Sequence, residues 1–315
     1  MPAKPDISAR QSHVPGPISL SLPVLLFLGG CATSPLAKHT AEFATATNAV
    51  VDSSEGAYRA AVRLHDDEQL SAAVQKYDSY QPWDPHSIKH LIDARGLDAR
   101  TDILDGLKTY AQTLADLTNG GHSDSLDAAA TAVGNNLKQM SAAFNPDSTT
   151  PPSGFSITPV QANAVSTALK ALGDFLANQK VKSSVPKIIR DMDPQIAVLS
   201  NLLNSDINIL RRQSNDDYEQ LLMQQDTFIR KSGQDLSPIE RRAEIKRLGQ
   251  IILRKEATDD MLRQLQATIK SLAETHHALA TAAQSKDTAS LSERIAELLA
   301  TAERLNHFYD SLPTT

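Results

Sequence analysis

Apolar positions recur at helical spacing along nearly all of this chain, and no alternating stretch is long enough to read as a strand. Leu36, Phe43, Val50, Ala57 and Leu64 repeat every seven residues, with Thr40, Thr47, Ser54 and Ala61 between them. That 3-4 spacing predicts a helix over 36–64 with a packing seam of small and polar residues. Leu70, Val74 and Tyr77 continue a helical face beyond the acidic run Asp66-Asp67-Glu68, which interrupts or restarts the helix. Pro82 and Pro85 flank Trp83 in a loop, and a short helical turn is expected over 86–92.

The next helices are expected over 97–118, closed by Asn119-Gly120-Gly121, and over 125–144. The proline-rich stretch 145–156 is a loop and a candidate subdivision of the chain, near 145–157. Thr158-Pro159-Val160-Gln161 reads as a capping box that starts a helix ending near Lys182. A long pattern over 186–231 carries Ile189, Ile196, Leu203, Leu210 and Phe228, with Pro194 setting a kink or a start capped by Asp193. Ser237-Pro238-Ile239-Glu240 is a second capping box. It opens a helix to about Ala283, with Ile245, Leu248, Ile252, Leu262, Ile269 and Leu279 on its buried side. A final helix is expected over 288–311. Two long helices joined by a short loop are forced antiparallel. The fold class is therefore all-α: an elongated antiparallel helical bundle with a long helical hairpin.

Composition sharpens this without changing it. Among 315 residues, 14 are aromatic and 13 are glycine, and net charge is −6. Ala and Leu carry much of the apolar content, which suits close helix packing. Mild acidity gives no reason to expect nucleic acid.

The lone cysteine closes the run Val24-Leu25-Leu26-Phe27-Leu28-Gly29-Gly30-Cys31. The apolar stretch 18–28 has signal-peptide length and falls short of the ~20 residues of a membrane-spanning helix. Leu28, Gly29, Gly30 and Cys31 match a lipobox, so the front of the chain resembles a bacterial lipoprotein leader of the signal peptidase II type. The resemblance implies a signal peptide over 1–30 and a single elongated helical domain over 31–315. It also implies a diacylglyceryl lipid on Cys31, the only covalent group expected and the only cofactor-like one. Ala32, where an Asp would signal inner-membrane retention, implies the periplasmic face of the outer membrane. Losing Lys4, Asp6 and Arg10 with the leader leaves a net charge of −7. One cysteine excludes an intramolecular disulfide.

Chemical motifs are sparse. Gly-x-Ser-x-Gly, a phosphate-binding glycine loop and His-Glu-x-x-His are absent, and no catalytic residue is assigned. His86 and His90, at i and i+4, come nearest to metal-ligand spacing. His276 lies on an apolar seam and reads as a core or boundary histidine. Asp66-Asp67-Glu68, Asp216-Asp217 and Asp259-Asp260 read as solvated helix faces.

Two candidate interaction regions remain. Tyr77, Tyr80 and Trp83 put three aromatics within seven residues beside the proline loop. Between Asp226 and Lys255 the basic residues, among them Arg230, Lys231, Arg241, Arg242, Lys246 and Arg247, exceed the acidic ones by four. Such a basic hairpin tip suits an anionic partner: lipid headgroups, an anionic envelope polymer of the cell wall or an acidic protein. The expected function is a membrane-anchored periplasmic lipoprotein with a structural or protein-interaction role and no catalysis. The alternative is a ligand- or metal-binding helical bundle.

Overall fold

In the computed structural model the chain divides into Met1–Ala32 and Thr33–Thr315. The structure describes residues 35–78, 89–121, 124–144, 155, 157–178, 184–285 and 290–312, all in the second unit. Among them the regular elements are seven helices, with no strand: α1 (Pro35–Asp78), α2 (Ala94–Thr118), α3 (Asp124–Ala143), α4 (Pro159–Ala177), α5 (Val185–Ser232), α6 (Pro238–Ser285) and α7 (Leu291–Ser311). None of these helices is long and apolar enough to cross a membrane.

The seam read on α1 is its buried stripe. Phe43, Val50 and Ala57 are buried, as are Thr40, Thr47, Ser54 and Ala61 between them. Small side chains let neighbouring helices come close. Their hydroxyls are satisfied within the helix: Thr47 donates to the Phe43 carbonyl at 2.8 Å, and Ser54 to that of Val50 at 2.8 Å. The acidic run at 66–68 neither breaks nor restarts the helix, which continues to Asp78. The short turn expected over 86–92 is absent where it is described, since residues 89–92 are non-helical. Asp93 instead caps α2, its carboxylate accepting from the Gly96 amide at 2.7 Å. At the other end Gly120 takes φ +68°, a left-handed conformation that glycine adopts without strain.

Both capping boxes form. Thr158 and Gln161 exchange hydrogen bonds at the start of α4, and Ser237 and Glu240 do so at the start of α6. Helix α4 is shorter than expected and ends at Ala177, with Asn178 as its cap. Pro194 does not start a helix, because α5 runs through it unbroken. Asp193 is not a cap; its carboxylate faces His276 and His277 of α6 at 3.0 and 2.7 Å.

Helices α5 and α6 have 48 residues each, about 72 Å of helix. They are antiparallel, as the Arg211–Asp259 pair at 2.6 Å and the Gln225–Glu244 hydrogen bond at 2.8 Å show. Helix α1 runs parallel to α5, through Tyr58–Asp206, His65–Asp217 and Gln75–Gln224. Helix α2 runs antiparallel to α1, from Thr118 against Thr40 to Lys108 against Asp52. Helix α7 runs parallel to α1, with Ser292 by His39 and Asn306 on the Ala49 carbonyl. Leucines and isoleucines of all the helices except α1 meet the α1 seam and one another in a single core.

Candidate functional site

Among the described residues, the register of these helices leaves few elements at one end of the bundle. The Lys89 carbonyl reaches His65, just before α2 begins, and Leu312, just after α7 ends, lies in a groove with Leu64. Past residue 65 of α1, the described chain at this end consists of α1, the C-terminal part of α5 and the N-terminal part of α6.

The sequence pattern placed Ile245, Leu248 and Ile252 on the buried side of α6. The structure corrects this: Ile245 and Ile252 are exposed, Leu248 is half-buried, and the first buried residue of α6 is Thr258. The periodicity is genuine, but no described helix is packed against that face. On α1, Leu70 and Val74 are exposed and Tyr77 is 77% exposed. Met223 and Phe228 of α5 and Ile239 and Leu253 of α6 complete the group. Of the ten large exposed apolar side chains among the described residues, all but Val160 lie at this end. Apolar exposure concentrated in this way marks an interaction surface, whereas scattered single residues do not.

A groove of about 660 Å³ runs between α1 and the hairpin here. Leu64, Leu70, Leu221 and Ile251 line it with Asp67 and Arg247. A smaller groove of 270 Å³ shares Leu221, Arg247 and Ile251 and extends past Val74 and Phe228. The basic residues read from the sequence surround this surface. Arg230 is held by Asp226 at 2.6 Å, and Lys255 pairs with Glu219. Arg241 donates to the Leu236 carbonyl at 3.3 Å. Lys231, Arg242, Lys246, Arg247 and Arg254 are exposed and make no ion pair with a described residue. Asp67 sits in the field of Arg254, Arg247 and Arg63, yet partial burial and the neighbouring Asp66 still raise its pKa.

Thus the structure joins Tyr77 to the basic hairpin tip, two regions distant in the sequence. Tyr80, Trp83 and His86 lie outside the described residues, as do Leu28, Gly29, Gly30 and Cys31. His90 is exposed on a non-helical stretch, so it lacks the helical geometry on which an i, i+4 metal pair depends.

Two acidic runs are not wholly solvated. Glu68 and Asp217 turn inward and are buried. With His65 they form the one group among the described residues whose histidine and carboxylate ligand atoms could share a metal ion. His65 Nδ1 lies 3.0 Å from Asp217 Oδ1, and His65 Nε2 lies 2.9 Å from the Lys89 carbonyl. The i, i+3 spacing of His65 and Glu68 was the available signal in the sequence. Asp217 comes from a helix 149 positions on, which spacing cannot reveal.

A second polar network crosses the opposite half of the hairpin. The Tyr110 hydroxyl meets His276 Nε2 at 2.8 Å, and His276 Nδ1 meets Asp193 at 3.0 Å. His276 is fully buried, as its place on the seam predicted. A neutral imidazole satisfies this geometry, accepting from Tyr110 at Nε2 and donating to Asp193 from Nδ1. Burial pushes the His276 pKa below the ordinary histidine value of 6.5, against the pull of Asp193. Burial also pushes Asp193 upward, but hydrogen bonds from His276 and His277 outweigh it and leave this carboxyl lowered.

Both shifts act in one direction. As pH falls through 6.5 the unfolded chain binds a proton that folded His276 does not, so stability declines. Lowered Asp193 adds to the loss as pH falls further. Asp102 and Asp105, raised by burial, work in the opposite sense, but only where carboxyls titrate. The melting temperature of the wild type is expected to fall between pH 7.5 and 5.5, and that of His276→Gln to fall less. Glutamine can keep both hydrogen bonds but cannot titrate. Thermal melts at the two pH values check this, and equal slopes would refute it.

No family model matches this chain, and neither a curated protein nor a solved structure does.

Proposed function

We propose that this chain is a lipid-anchored protein of the cell envelope with a structural or protein-interaction role and no catalytic one. Its lipid sits on Cys31 at the periplasmic face of the outer membrane. The end of the bundle formed by α1, α5 and α6 captures a partner protein. The observation that carries this reading is the gathering of exposed apolar side chains and unpaired basic residues at that one end. An apolar groove rimmed by Arg63, Arg247 and Arg254 suits an acidic amphipathic helix laid along it. Its apolar stripe would meet Leu64, Leu70, Leu221 and Ile251, and its carboxylates the guanidinium groups. Arg247 and Arg254 line the groove beside its leucines, and arginine is enriched among interface hot spots.

Crosslinking in cells tests the reading. A photoreactive residue at position 70 or 245 is expected to trap a discrete partner. Arg247→Glu with Arg254→Glu is expected to reduce that adduct by roughly thirtyfold, the equivalent of one hot spot of ~2 kcal/mol. Both arginines are exposed, so the melting curve should not move. An undiminished adduct, or capture confined to probes on α3 and α4, would reject the docking surface. Mass spectrometry of the mature N-terminus tests the anchor separately: an acylated Cys31 supports it and an unmodified thiol rejects it.

A further inference from the structure

We propose that His65, Glu68 and Asp217 form a binding site for a divalent transition-metal cation, with Zn²⁺ the best match. The proposal does not depend on the docking surface.

His65 holds each ring nitrogen against an oxygen. Its Nε2 faces the Lys89 backbone carbonyl at 2.9 Å. A carbonyl only accepts, so Nε2 carries the proton. In the neutral ring Nδ1 then presents a lone pair 3.0 Å from Asp217 Oδ1, which also presents lone pairs; a second ring proton would make the same contact a hydrogen bond. A cation beside the two atoms turns that opposition into shared coordination. A histidine that binds metal through one ring nitrogen and donates the other N–H to a carbonyl is the usual orientation of such ligands.

Two buried oxygens at the site lack hydrogen-bond partners. Asp217 is only 8% exposed, and its Oδ2 is buried without a hydrogen-bond partner. A bare carboxylate oxygen in that setting is costly, and a bound cation removes the cost. Gln224 Oε1 is likewise buried without a partner.

The Glu68 carboxylate is already oriented. Glu68 Oε1 accepts from the Gln224 amide at 2.9 Å and Oε2 from the Gln69 amide at 2.8 Å. Each oxygen keeps a further lone pair, so the amides orient the carboxylate without consuming it. The two carboxylates bring a charge of −2 to the boundary between α1 and α5. Among the described residues no Lys or Arg is paired with either of them, and His65 is the only ionisable partner of Asp217.

The distances are compatible with a small cation. One ligand atom from each residue lies within 4.8 Å of the others. Bonds of about 2.1 Å in tetrahedral arrangement separate ligands by about 3.4 Å. Ordinary side-chain adjustment at Glu68 covers the difference, because His65 and Asp217 are already at 3.0 Å. One imidazole and two carboxylates, with no thiolate, suit Zn²⁺ better than a purely oxygen-seeking ion.

The experiment is a titration of the chelator-treated full chain with Zn²⁺. Calorimetry is expected to show one site, with Mg²⁺ and Ca²⁺ weaker. At a hundredfold excess over Kd the melting temperature should rise by about 5 °C. Asp217→Asn and Glu68→Gln, both close in shape to the native residue, should weaken binding by about a hundredfold or more. Gln224→Leu, which removes an orienting amide together with the unpartnered Oε1, should weaken it by about tenfold. His90→Ala and His277→Ala should change nothing. Histidine ¹⁵N spectra of the wild type add a readout that needs no variant: Zn²⁺ should shift one imidazole, ligated through Nδ1. Absence of binding at millimolar Zn²⁺, binding that survives Asp217→Asn, or a shift centred on His90 or His277 would each overturn the proposal.

Discussion

Asp206→Ala is expected to destabilise the bundle by about 3–5 kcal/mol, the usual cost of stripping one partner from a buried ion pair. At the scale of this chain that is a fall in melting temperature of roughly 6–10 °C. Arg100 and Asp206 are each 3% exposed and joined by two hydrogen bonds, Nε to Oδ2 at 2.7 Å and Nη2 to Oδ1 at 2.6 Å. The Tyr58 hydroxyl donates to Oδ2 at 2.6 Å, and burial together with the Asp206 charge keeps that hydroxyl protonated. One carboxylate therefore ties α1 and α2 to α5. The guanidinium also meets the Gly96 carbonyl at 2.8 Å, the face of Phe155 at 4.3 Å and the Tyr58 ring at 5.6 Å. None of these three carries the negative charge that Asp206 supplies. Tyr58→Phe, losing one bond to a charged group, should cost about 1.5–3 kcal/mol. The pair Arg100→Met with Asp206→Leu should cost less than Asp206→Ala alone, because both charges leave together. Urea melts followed by circular dichroism order these variants. A double replacement worse than the single one would show that the pair does not act as a unit.

This lock also shows where reading the sequence stopped. Hydrophobic period and capping chemistry are local, and they placed the seam of α1, the starts of α4 and α6 and the buried His276. Arg100 and Asp206 stand 106 positions apart, and a lone charge in a helical pattern looks like any solvated residue. Glu68 and Asp217 were misread for the same reason. Each sits beside an exposed or half-exposed acid, and only the rotation of about 100° per residue separates the inward from the outward carboxylate. Pro194 misled only as a helix start. A proline forfeits one backbone hydrogen bond, yet α5 runs through it, and Asp193 beside it reaches across to α6 instead of capping. The exposed face of α6 is the instructive failure. Ile245 and Ile252 obey the spacing of a buried stripe, and that spacing reports what a face is suited to meet, not whether this chain supplies it.

Gly134→Leu should cost more than about 3 kcal/mol, beyond the usual range for overpacking. Helices α3 and α4 cross at Gly134 and Gly173, backbone against backbone. A Cβ on Gly134 would lie 2.7 Å from the Gly173 carbonyl oxygen and 2.9 Å from the Ala177 nitrogen. A Cβ on Gly173 would lie 2.6 Å from the Gly134 carbonyl oxygen. Main-chain atoms cannot rotate aside, so the helices must separate and the leucines between them lose contact. Even Gly134→Ala should destabilise, by about 1–2 kcal/mol, although alanine raises helix propensity by up to ~1 kcal/mol. The other glycines provide the scale. At Gly106 an added Cβ would meet the tip of Leu137, a side chain that can move, so Gly106→Ala should be milder. At Gly249 nothing lies within 4 Å, and Gly249→Ala should stabilise by about 0.5–1 kcal/mol. Because the separation forced by one substitution makes room for the other, Gly134→Ala with Gly173→Ala should cost less than the sum of the two. Equilibrium unfolding of the series measures the order. A Gly134→Ala variant as stable as Gly249→Ala would mean that α3 and α4 do not cross where these two glycines meet.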